Sequence, residues 1–153
     1  MPKGRVHLAF ELTTLPLWSL GGAVAGVPWE ELVIFTLSYV GTSLFLSPDL
    51  DLPHSDVTRR WLFLRYLWYP YSRIFRHRGL SHSLLFGPLT RLLYLGAWAA
   101  LCWAVAHLSF GVRWGWPPPT LPQVGAFLGG VYWANFLHVF LDRVVSSWVR
   151  LRG

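Results

Sequence analysis

Two apolar runs, at about residues 84–112 and 121–141, constrain this chain more than any other feature. Each is long enough to cross about 30 Å of hydrocarbon as a helix, where every backbone N–H and C=O needs a partner inside the protein. Two shorter runs precede them, at 8–27 and 32–46. The first contains Glu11, Thr13, Thr14 and Pro16, and the second falls short of the ~20 residues that a lone span prefers. A hairpin turning at Val27-Pro28-Trp29-Glu30-Glu31 brings both across together. Composition agrees, with 54% hydrophobic residues and only 13% charged, where a soluble domain has about 25%. Ten Trp, ten Phe and six Tyr exclude a disordered chain. The expected fold is all-α: a four-span transmembrane helical bundle, one membrane domain over 1–153, with an interfacial helix in its long loop.

The net charge of +6 is distributed as a membrane orientation signal. Lys3 and Arg5 precede the first run, Arg59, Arg60, Arg65, Arg73, Arg76 and Arg78 lie between the second and third, and Arg143, Arg150 and Arg152 follow the fourth. Arg113 alone falls in a connection on the other side, while Arg91, near the start of the third run, is expected to snorkel to the inner surface. This predicts a multi-pass protein of a plasma membrane with both termini cytoplasmic. It also accounts for the basic character without nucleic acid, and makes anionic lipid the expected partner of the arginine-rich loop.

Within that loop, Trp61 to Tyr69 has the aromatic and arginine mixture of a helix lying at headgroup level, which Pro70 should end or kink. On the other side, Trp114 to Pro119 reads as a stiff polyproline-type link. Gly22-x3-Gly26 and Gly125-x3-Gly129 have the spacing of close helix contacts and allow self-association. Ala23-Val24-Ala25 has the form of a signal-peptidase site, but Glu11 and Pro16 inside the preceding segment argue against cleavage. The single Cys102, in an apolar run, is expected in the core and excludes a cysteine-based zinc site.

The Asp residues and most of the His residues fall at the inner ends of the proposed spans. His7 opens the first, Asp49 and Asp51 follow the second, His77 and His82 precede the third, and His138 and Asp142 close the fourth. An antiparallel bundle gathers such ends at one face, which is how bundles build metal sites. His138 and Asp142, four apart, share a helix face. Asp49 and Asp51, between Pro48 and Pro53, are expected in an extended segment that points both carboxylates one way, where they repel unless a cation joins them. Gly79 permits a turn and Ser81 can cap the third helix, so His77 and His82 can converge. His54 and His107 are expected to lie outside the cluster.

A His and carboxylate set without thiolate suits Zn²⁺, Mn²⁺ or Fe²⁺. Seven candidates exceed the four ligands of a structural zinc, so either two ions share the site with an aspartate bridging, or some residues orient the ligands. A metal there acidifies water and so suits hydrolysis. Asp51 is the candidate general base or bridge, and Arg78 the candidate phosphate contact. A non-catalytic protein, in which the metal is structural, sensed or carried, fits the same residues.

Gly4-Arg5-x-His7, Ser47-Pro48-Asp49-Leu50-Asp51, His77-Arg78-Gly79-x-Ser81-His82-Ser83 and His138-x3-Asp142 together resemble a bacterial family of uncharacterised metal-binding membrane proteins. That family is related to the YdjM-like predicted inner-membrane metal-dependent hydrolases. The resemblance runs from about Pro2 to Trp148 and implies an inner-membrane His/Asp metal site. More distantly it is similar to zinc-dependent phospholipase C and single-strand nuclease enzymes, which cleave phosphoesters. This chain departs at Leu8, where relatives follow the first His with an acid or amide; Glu11, one turn on, can stand in.

Overall fold

The computed structural model describes residues 4–75, 82–113 and 115–152. Among them are six α-helices and no strand: α1 Gly4–Val24, α2 Trp29–Phe45, α3 Asp56–Arg60, α4 Trp68–Ile74, α5 Phe86–Phe110 and α6 Leu121–Arg152. Two 3-10 stretches, Pro48–Asp51 and Leu62–Leu67, complete the segment between α2 and α5.

Three stretches, Trp29–Asp51, Phe86–Phe110 and Leu121–Trp148, are long and apolar enough to cross a membrane. The expected four spans are therefore corrected to three. The odd one out is α1, whose 21 residues include Arg5, His7, Glu11, Thr13, Thr14 and Ser19. Both His7 and Glu11 are buried against neighbouring helices, which removes their polarity from the surface but not from the composition.

The helices α1, α2 and α6 pack together around Tyr39, Ala134 and Leu137, with Phe10, Leu15 and Trp18 of α1 laid over them. The Tyr39 hydroxyl donates to the Glu11 carbonyl at 2.7 Å and so ties α2 to α1. The close approach of α2 and α6 occurs at Gly130, where a Cβ would collide with Ser38 and the Phe35 carbonyl and lie 2.9 Å from the Tyr39 nitrogen. Gly125, in the spacing motif, has nothing within 4 Å. Gly26, at φ 78°, takes the left-handed conformation that turns α1 into α2.

A second core joins Leu50, Val57, Trp68 and Tyr71 of the loop segment to Tyr94 and Leu95 of α5. The expected interfacial helix is a 3-10 stretch followed by α4, and Pro70 sits in the first turn of α4 rather than ending a helix, because a missing N–H costs nothing there. Beyond these first turns α5 stands apart, and none of its most apolar stretch is buried in the protein. Cys102 is accordingly exposed on α5 instead of lying in a core.

Arg91 is also placed differently from expectation. It is 1% exposed, donates from Nε to the Gly87 carbonyl at 2.9 Å, and reaches the Leu46 carbonyl and Asn135 Oδ1 with its terminal nitrogens. Three acceptors on α5, the end of α2 and α6 compensate the buried charge, so it has no reason to snorkel.

Candidate metal centre

The helices bring together residues that are far apart in sequence. His7 Nε2 lies 3.2 Å from Asp142 Oδ1, and the His7 and His138 rings stack at 4.0 Å between centroids. His138 presents its two nitrogens to different partners: Nδ1 donates to Glu11 Oε1 at 3.0 Å, while Nε2 faces Asp49 Oδ2 at 3.8 Å. His82 Nε2 is 4.0 Å from Asp49 Oδ1 and 3.8 Å from Asp142 Oδ2. Asp142 thus spans the site, with one oxygen towards His7 and the other towards His82.

Each contact has a local cause. One helical turn separates His7 from Glu11 on α1, and another separates His138 from Asp142 on α6, so each pair projects from one face. Asp49 arrives from the 3-10 turn that Pro48 starts. In a 3-10 turn, residues two apart diverge, unlike those of a strand. This overturns the expected alignment of Asp49 with Asp51: Asp49 joins the cluster, and Asp51 is buried at 4% exposure, where it and Asp49 attract Arg91. His82 enters from just before α5, with Ser83 Oγ accepting the Phe86 N–H at 3.2 Å. His77, Arg78, Gly79 and Ser81 lie outside the described residues.

Two groups have donor atoms close enough to share an ion, namely His7, Glu11 and His138, all buried, and Asp49, His82 and His138, with the first two partly exposed. Tetrahedral zinc with bonds of about 2.0–2.1 Å sets neighbouring donors about 3.3 Å apart. The observed 3.2–4.0 Å separations fit that scale. Two buried imidazole nitrogens, His7 Nδ1 and His138 Nε2, have no hydrogen-bond partner. A buried polar atom left unmade costs about 1–3 kcal/mol, and coordination of an ion relieves it. The donor chemistry and the orphaned nitrogens therefore fit a divalent cation.

Glu11 is the residue that motif reading weighed only as a stand-in. Its signal in the sequence was the i, i+4 spacing from His7. His54 is exposed, and His107 is remote from the cluster, bonded through Nδ1 to the Val112 carbonyl at 2.8 Å and stacked on Trp103.

A family sequence model described as uncharacterized metal-binding protein (DUF2227) matches residues 2–152. An uncharacterized protein of Aquifex aeolicus (strain VF5) is 44% identical over 69 residues, which cover 45% of this chain and 49% of that relative. The match thus spans about half the length of the curated relative. No solved structure matches. With a His and carboxylate cluster in the structure and a family match over nearly its whole length, the chain belongs to the DUF2227 family of metal-binding proteins.

Proposed function

We propose that this protein is a membrane-embedded metal-dependent hydrolase of the bacterial inner membrane, acting at its cytoplasmic face on phosphoesters or lipid headgroups. The observation that carries the reading is the uneven burial of the cluster. The His138 side chain is 3% exposed, but Asp49 and His82 are 20% and 11% exposed, so the set opens on one side. Catalytic metal sites keep one position for water or substrate, whereas structural sites close all of them. The cytoplasmic orientation rests on the arginines between α2 and α5 and in the C-terminal part of α6. Kinship with the YdjM-like hydrolases rests on the four motifs alone.

In this reading Asp49, His82, His138 and Asp142 hold one divalent ion, zinc before manganese or iron, with His77 and His7 as further ligands or the ligands of a second. The chemistry that a bound ion supplies is polarisation of a phosphoryl oxygen and acidification of water. Glu11 accepts the Nδ1 proton of His138, which fixes the tautomer and leaves the Nε2 lone pair for the site. Asp142 Oδ1 lies 3.2 Å from His7 Nε2 as its charge partner. Arg78 is the proposed phosphate contact, while Asp51, buried and turned away from Asp49, is not assigned the general base's role.

A second reading is favoured by the full burial of His7, Glu11 and His138. An ion held there has no open side, and it would staple α1 to α6 without catalysis. Elemental analysis of the detergent-purified protein tests both, with Asp49→Ala and His138→Ala beside the wild type. The hydrolase reading expects about one or two equivalents of metal, lost in both variants, together with phosphodiester cleavage by the loaded wild type. Metal retained in Asp49→Ala supports the staple. No metal bound or taken up overturns both.

A further inference from the structure

Between the Pro48–Asp51 turn and the end of α4, the chain encloses a pocket of about 380 Å³, within the ~300–1,000 Å³ of small-molecule sites. Buried Leu50 and Trp68 form its apolar lining, and exposed Arg65, Tyr66 and Tyr69 form its rim. The Arg65 guanidinium lies 5.0 Å from the Tyr66 ring centre and donates to the Tyr66 hydroxyl at 3.1 Å. Arg73 does the same for Tyr69, 4.6 Å from its ring centre. Each hydroxyl already accepts from an arginine, so its own proton is left to donate outward. Arg65 also holds the Tyr66 phenol below its ordinary 10.0, which makes that proton a stronger donor.

The rim is therefore all donors and positive charge. No carboxylate lines the pocket among the described residues, and residues 57–75 contain four arginines and no acid. The pocket also lies at one end of the apolar helices, between the end of α2 and the start of α5. Leu62 and Phe63 beside it are 71% and 76% exposed, which suits side chains dipped into an acyl layer and not a surface built for a soluble ion.

We propose that this pocket binds the phosphate-bearing headgroup of an anionic phospholipid. Arg65 and the Tyr66 and Tyr69 hydroxyls take the phosphate oxygens, and Leu50 and Trp68 line the space for the glycerol and first acyl carbons. The site does not depend on the metal reading.

Calorimetric titration of the full chain in a neutral detergent tests it, with short-chain phosphatidylglycerol, short-chain phosphatidylcholine and inorganic phosphate as probes. Saturable binding of phosphatidylglycerol is expected, about tenfold tighter than phosphatidylcholine, with about a tenfold loss in Arg65→Gln and a smaller one in Tyr66→Phe. Arg113→Gln, in the opposite connection, is expected to bind like the wild type. Equal affinity for the two lipids overturns the proposal, as does wild-type binding by both Arg65→Gln and Tyr66→Phe. Inorganic phosphate binding as tightly as the lipid also overturns it, and assigns the pocket to a free anion.

Discussion

Glu11 accepts a hydrogen bond from His138 Nδ1 at 3.0 Å across 127 residues of sequence, with both side chains almost wholly buried. A carboxylate on the far nitrogen of a histidine raises its basicity and fixes its orientation, and its loss usually costs about 10–100-fold in metal affinity. Glu11→Gln is therefore expected to keep the wild-type metal content at saturation while binding about 10–100-fold more weakly, read by competition with a chromophoric chelator. If Glu11 is instead a ligand, the metal content itself falls.

Removing the metal should loosen α1 first. At the cluster, α1 is joined to the rest through His7 with Asp142 and Glu11 with His138. A ligand present at 100 times its Kd stabilises the folded state by about 2.7 kcal/mol, so chelation is expected to lower the thermal midpoint and to raise amide exchange in α1 before α6. Hydrogen exchange with and without chelator measures both.

Gly130 and Gly125 separate close packing from mere spacing. A methyl at Gly130 meets Ser38 and backbone of α2, whereas one at Gly125 meets nothing within 4 Å. Gly130→Ala is expected to destabilise by about 1–3 kcal/mol through overpacking, and Gly125→Ala, which meets no neighbour, to raise the midpoint of thermal unfolding through about 0.4–1 kcal/mol of backbone entropy.

Arg91→Met would strip the Leu46 carbonyl and Asn135 Oδ1 of their shared donor. Orphaned buried acceptors cost about 1–3 kcal/mol each, and Leu46 immediately precedes the turn that presents Asp49. A lower melting temperature together with weakened metal binding is the expected outcome; a loss of stability with metal affinity intact would separate the two roles.

Much of this was legible in the sequence where periodicity governs. His138 and Asp142 share a face because an α-helix repeats every 3.6 residues, and the pair meets Asp49 and His82 from that face. Asp49 and Asp51 resisted the same reasoning. Prolines on both sides argue against an α-helix equally well in a strand or a 3-10 turn, and only the second sends the two carboxylates apart. Counting apolar residues on α1 could not show that Glu11 and His7 face inward, since their burial depends on partners contributed by α6. Arg91 misled for a similar reason. Its length suits escape to water, but Asn135 and the end of α2 lie within its reach.

The separateness of α5 gives the molecule a mechanical asymmetry. A helix of 25 residues, about 37 Å long, is clamped at its first turns and bare along the rest. Such a rod acts as a cantilever whose fixed end is the Arg91 guanidinium on the Leu46 carbonyl, three residues ahead of Asp49. Force applied to the free length is borne at the root, beside the carboxylate most exposed in the cluster.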